Sequence, residues 1–202
     1  MDLLSALDGQ FIWALGINGP STDKGLFLAK GPDGFFYVGG TYTEFVSIGT
    51  ISISTNPVAS SNQDVFIAKI DENGVVQWVE SLGGDGFDDI AGLTVTNQNK
   101  IWLTVRFLGN TTIGGTNYAS TNLLNQNVQG VDAVFVRMSA QGSVEFSRVL
   151  ASPENERMSN LVSDDQGNIY TTVHCITNLT YGSSNISLSN QTNGVLIKIN
   201  SI

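Results

Sequence analysis

Apolar residues in this chain come in short runs separated by Gly, Asn, Asp and Ser. Asp64-Val65-Phe66-Ile67-Ala68-Lys69-Ile70, Ala133-Val134-Phe135-Val136-Arg137-Met138 and Gly194-Val195-Leu196-Ile197-Lys198-Ile199 are almost continuously apolar, with one cation near the end of each. Runs this short and this rich in β-branched and aromatic residues predict strands, covered on both faces by neighbouring sheets. Phe35–Gly40, Ile101–Arg106 and Asn168–Val173 predict further strands. Leu26–Ala29, Gly92–Val95 and Leu161–Ser163 lead into them, and Val75–Trp78 and Ser143–Phe146 follow the apolar runs. A weaker extended patch lies near Thr50–Ser54. Pro32-Asp33-Gly34 and Asp71-Glu72-Asn73-Gly74 are turn signals, since Asp bonds nearby main-chain N–H groups and Gly accepts positive φ. No run has the length and period of a core helix. The pattern predicts an all-β chain.

These runs return at a fixed spacing. Trp13, Trp78 and Phe146 each stand four residues after a glycine, at intervals of 65 and 68 residues. Tyr37, Trp102 and Tyr170 keep the same two intervals, and Ile48-Gly49, Ile113-Gly114 and Tyr181-Gly182 do so more weakly. The apolar runs step by 69 and 61, so the loop before them varies in length. A unit of about four strands at this period suits a blade of a β-propeller better than a solenoid coil. The expected organisation is therefore one domain over 1–202. It holds a strand at 9–13, blades at 20–78 and 84–146, and a partial blade at 154–202. That makes three four-stranded blades per chain, one of them split between the N- and C-terminal strands. Three blades do not close a ring, so the expected partner is a second copy, arranged head to tail as a homodimer closing a six-bladed ring.

Composition narrows the function classes. Charged residues are 13% of the chain, about half the usual share, and the net charge is −9 with nine Lys and Arg. So few cations make no phosphate-binding stripe, which argues against nucleic acid. No stretch approaches the length of an apolar membrane span. The first residues, Met1-Asp2-Leu3-Leu4, carry an acid where a secretion signal needs basic residues. Cys175 is the only cysteine, so neither an intrachain disulfide nor a cysteine metal site is expected.

Candidate chemistry is sparse. Asp23, Asp88 and Glu156 each fall 10 residues after Trp13, Trp78 and Phe146. They either line a central channel as cation ligands or accept main-chain N–H bonds in turns. Asp85 and Asp88, in Gly84-Asp85-Gly86-Phe87-Asp88-Asp89, offer oxygens to Ca²⁺ but lack the alternating acids and terminal Glu of a calcium loop. No cofactor is expected. Trp13, Trp78 and Trp102 either form a sugar-stacking surface or pack between sheets. Lys69, Arg137 and Lys198 predict salt bridges or edge protection, and Asp71 and Asn73 are turn residues. His174 and Cys175 are neighbours, and strand neighbours point to opposite faces, which argues against a nucleophilic pair. Sequons begin at Asn110, Asn178, Asn185 and Asn190.

Trp78-Val79-Glu80-Ser81-Leu82-Gly83-Gly84, Asp33-Gly34-Phe35-Phe36-Tyr37-Val38-Gly39-Gly40 and Asp64-Val65-Phe66-Ile67-Ala68-Lys69-Ile70-Asp71-Glu72-Asn73-Gly74 together resemble the bacterial-type (SBBP) β-propeller repeat. The resemblance weakens in the third unit, where Phe146 replaces Trp and Ala151-Ser152-Pro153 replaces the paired glycines. It implies a propeller scaffold and no particular reaction. The expected function is a non-enzymatic structural or protein-interaction module, in an extracellular, cell-surface or virion setting rather than the cytoplasm. The alternatives are a carbohydrate-binding or carbohydrate-active propeller, with a possible protein or glycan ligand, and a fragment or built assembly unit without natural activity.

Overall fold

A computed structural model describes residues 11–55, 62–121, 130–153, 156–175, 178–188 and 193–200. Every regular element among them is a strand. β1 (Ile17–Asn18), β2 (Lys24–Lys30) and β3 (Phe36–Thr43) come first, followed by the hairpin β4 (Phe45–Ile48) and β5 (Ile51–Ser54). β6 (Gln63–Ile70) and β7 (Val76–Gly84) precede β8 (Asp89–Val95) and β9 (Ile101–Phe107). A second hairpin, β10 (Asn110–Ile113) and β11 (Thr116–Ala119), leads to β12 (Asp132–Met138) and β13 (Val144–Ala151). β14 (Arg157–Met158), β15 (Val162–Ser163) and β16 (Ile169–Cys175) follow. The third hairpin is β17 (Leu179–Tyr181) and β18 (Ser184–Ile186), and β19 (Asn193–Ile199) is last.

The turns form where side chains can serve the main chain. Asp71 Oδ1 accepts from the N–H groups of Asn73 and Val75, each at 2.9 Å, and Gly74 takes φ +82°. Asp164 accepts from Gln166 N at 3.0 Å and Asn168 N at 2.8 Å, tightening the turn before β16. Ser139 Oγ does the same between β12 and β13.

The strands make four antiparallel sheets. The first has order β1-β4-β5, the second β11-β10-β7-β6-β3-β2 and the third β18-β17-β13-β12-β9-β8. In the fourth, β14 and β15 both pair one side of β16, and β19 pairs the other. Pleating sends alternate residues of the central strands into opposite layers. Val65 and Ile67 of β6 enter a core shared with Leu103, Val105, Val134 and Val136. Phe66, Ala68 and Ile70 enter a different one, with Val46 and Ile48 of the first sheet. Phe135 and Trp102 turn towards Ile169, Val173 and Cys175 of the fourth and Leu161 just ahead of β15. The sheets thus pack face to face in chain order. Each large apolar side chain sealed between them stabilises the fold by about 1.5–3 kcal/mol.

This architecture corrects the propeller expectation. No sheet closes into a ring, and the sheets have three, six, six and four strands rather than a uniform four. The 65- and 68-residue spacing therefore does not resolve into a set of equal blades. Loops that read as polar connections form hairpins instead. β10 pairs the last residues of β7, with Thr111 opposite Gly84, and β17 pairs β13, with Leu150 opposite Tyr181. These added hairpins widen two sheets to six strands. The split blade is absent too. Gly9 and Gln10 lie outside the described residues, Phe11–Gly16 form no strand, and β19 pairs β16 alone among the described strands. With four open sheets there is no half-ring to complete, so the head-to-tail six-bladed homodimer loses its basis.

Candidate functional site

Two of the acids singled out in the sequence, Asp88 and Glu156, sit at joints between sheets. Just ahead of β8, Asp88 donates its N–H to Gln63 O at 2.8 Å, and Gln63 Nε2 returns a bond to Asp88 O at 2.8 Å. Asp88 is fully buried, and its Oδ2 accepts from Gly84 N at 2.7 Å. Burial pushes its carboxyl up to about 8; the Gly84 bond opposes this, and the charges of Asp64 and Asp85 add to it. At the next joint, Glu156 N donates to Val131 O at 3.3 Å, and Ser152 Oγ donates to Glu156 Oε1. Glu156 is 1% exposed and lies against Asp132, itself fully buried. Two ionised carboxylates are acceptors only and cannot bond each other. Burial raises both carboxyls of this pair, and the charge of Asp132 adds to the rise at Glu156.

The described sheets are open and form no ring whose central channel these acids would line. Asp23 lies elsewhere, near the Gly19 and Thr43 main chain, and is raised by burial. The Gly84–Asp89 acids go to separate partners. Asp85 accepts from Asn110 N and Nδ2 at 2.8 and 3.0 Å, Asp88 from Gly84, and Asp89 pairs with Arg106. Among the described residues, no three His, Cys, Asp or Glu side chains converge to hold a metal ion.

The three tryptophans share no surface. Trp102 is 1% exposed, in the core between the third and fourth sheets. Trp78 packs on the core between the second and third, its ring 6.1 Å from that of Tyr37. Trp13 is 41% exposed and lies outside any strand. Lys69 forms a salt bridge with Asp33 at 2.8 Å, and Arg137 Nε lies 3.4 Å from Glu145. In β16 His174 is exposed and Cys175 is buried, so the pair straddles the sheet. Asn110, Asn178 and Asn185 are exposed, while Asn190 is outside the described residues.

Trp13 marks an apolar concavity. Its Nε1–H donates to Glu72 O at 3.1 Å, which lays the indole on the 71–74 turn. A Cβ at Gly74 would approach that ring to 3.0 Å, so a side chain here would crowd the indole. From Trp13 the chain runs on through Leu15 and Ile17, and Ile17 pairs with Ile48. This segment and the second sheet enclose a groove of about 380 Å³. Its floor is set by register: Leu28, Val38 and Ala68 stand in one cross-strand row, and Phe36 and Ile70 in another. Leu28 is 68% exposed. None of the described residues lining the groove is titratable. The sequence carried only a faint sign of it, the alternation Leu26, Leu28 against Phe27, Ala29, which puts apolar residues on both faces of one strand.

No protein-family model matches the chain, and no curated protein matches it. Together with the open sheets, this overturns the resemblance to the SBBP repeat. The functions expected from a propeller scaffold, the interaction module and its carbohydrate and assembly alternatives, go with it.

Proposed function

We propose that the chain is a non-catalytic binding protein that takes a small apolar ligand in the groove beneath Trp13. The observation that carries this reading is the groove itself: concave, walled by Trp13, Leu15 and Ile17, floored by Leu28, Phe36 and Val38, and free of titratable side chains in its lining. Its volume is within the range of sites for drug-sized ligands, about 300–1,000 Å³. An exposed leucine in a concave apolar setting gains by being covered, at about 25 cal/mol per Å² removed from water. The indole supplies a flat wall held by its hydrogen bond to Glu72. Catalysis there would need an acid, base or nucleophile in reach, and the lining offers none.

Titration with a neutral apolar dye such as Nile red tests the reading. Saturable binding of one dye per chain, with quenching or a blue shift of tryptophan emission, is expected. Leu28→Glu should weaken that binding by at least about tenfold while leaving the circular dichroism unchanged, because Leu28 is exposed. Equal binding by wild type and Leu28→Glu, or no saturable binding by Nile red, long-chain alcohols and sterols alike, overturns it.

A further inference from the structure

Two joints in this molecule build a similar aromatic–cation arrangement, and only one is closed by the described residues. On β6, Lys69 stands opposite Tyr37 on one side and Trp78 on the other. Both Lys69 Nζ and Trp78 Nε1 donate to one acceptor, the carbonyl of Ala140, at 3.2 and 3.1 Å. Ala140 lies in the turn between β12 and β13, so a main-chain oxygen from the third sheet plugs this spot. On β12, Arg137 stands in the same way between Trp102 and Phe146. These two rings are 5.8 Å apart and tilted by 55°, close to the 6.1 Å and 52° of Tyr37 and Trp78.

At this second place a cavity of about 500 Å³ stands open, lined by Trp102, Arg137, Phe146, Arg148, Tyr181 and Lys198. Trp102 is 1% exposed, and its buried Nε1–H meets no acceptor among the described residues. A buried donor left so costs about 1–3 kcal/mol relative to one that is bonded. The Arg148 guanidinium lies 5.3 Å from the Phe146 ring centre and 5.4 Å from that of Tyr181. Among the described residues no carboxylate pairs with Arg148 or Lys198. Three of the nine Lys and Arg residues of a chain with net charge −9 thus line one cavity.

We propose that this cavity binds a small organic carboxylate carrying a flat apolar ring. Its oxygens accept from the Arg148 guanidinium and the Lys198 ammonium, the two lining cations without a carboxylate partner among the described residues. Charge-assisted bonds of this kind are about twice as strong as neutral ones. The ring lies against Phe146 and Tyr181, which an inorganic anion would leave uncovered. The site is separate from the Trp13 groove and does not depend on it.

Nitrogen–proton correlation spectra of the indole groups test this directly, with naphthoate as probe. The signal of the Trp102 indole, at the wall of the cavity, is expected to shift and saturate, while those of Trp13 and Trp78, which are not part of the lining, stay in place. Naphthalenemethanol, which keeps the ring, and sulfate, which keeps the charge, should each bind at least about tenfold more weakly. Arg148→Ala and Arg148→Gln, at an exposed position, should lower naphthoate affinity by a similar factor. Leu28→Glu, in the other groove, should not change it. A Trp102 signal unmoved by millimolar naphthoate overturns the proposal. So does an equal response to sulfate, which would mark an adventitious ion only, or equal affinity in the Arg148 variants.

Discussion

Asp88 holds its carboxyl entirely out of water beside Asp64, with one hydrogen bond to show for it. In the unfolded chain an aspartate loses its proton near pH 4, whereas in the fold Asp88 keeps it up to about 8. Between those values the folded state binds more protons, so stability falls as pH rises through the window. Glu156 acts in the same direction. Asp33 runs the other way: burial raises it, but the hydrogen bonds from Lys69 and Tyr37 outweigh burial and hold it low. Its stabilisation is lost as pH falls below the ordinary carboxylate range. The protein should therefore be most stable in weak acid. Asp88→Asn keeps an acceptor for Gly84 N and removes the charge. Urea unfolding should find this variant more stable than wild type by roughly 2 kcal/mol at about pH 8.5, and little changed at about pH 5. An equal loss at both pH values would mean that the ionised carboxylate is what the joint needs.

At the scale of strands and turns, much was legible in advance. The strands expected at Asp64–Ile70 and Ala133–Met138 match β6 and β12 to within a residue. Both are buried along nearly their whole length, as continuous apolar runs require. The turn at Asp71–Gly74 was readable because Asp and Gly act on their own neighbours, without help from the rest of the chain. The hairpins were not. β10 and β17 add to β7 and β13 through partners more than twenty residues away, and Thr, Ser and Asn in a connection do not announce such pairing. Gly40 shows how tightly the neighbouring edge is fitted. A Cβ there would sit 1.9 Å from Lys24 O and 2.6 Å from the Phe66 ring, where the β2–β3 register shifts between Gly25 and Phe27. Gly34 has φ +86° but open space around its Cβ position. Gly40→Ala should cost about 3 kcal/mol and Gly34→Ala about 1, as measured by thermal unfolding. Equal costs would show that the sheet yields at Gly40.

Across the whole molecule, protection is graded. The second and third sheets have neighbours on both faces, and their central strands β6 and β12 are sealed. The fourth sheet is thinner. β14 and β15 are two residues each, and β16 alternates between buried and exposed along its length. Local opening follows contact and burial, so amide hydrogen exchange should be slowest at Val65–Ala68 and Val134–Val136. In β16 and β19 it should be faster by at least about tenfold. Uniform protection across the four sheets would mean that they open only together. The candidate sites were hidden in the sequence for a related reason. Arg148 and Trp102 share a cavity with Lys198 only because the fourth sheet stacks on the third, and Trp13 meets Leu28 only because the leading segment lies across the second sheet.

The single cysteine belongs to that thinner end. Cys175 is 1% exposed, and burial together with the nearby Glu156 charge raises its thiol above the ordinary range. Towards an alkylating reagent the folded chain therefore behaves as though it had no thiol at all. Reaction must wait until β16 parts from its neighbours, so the modification rate of this one sulfur clocks how often the fourth sheet opens, with no label added.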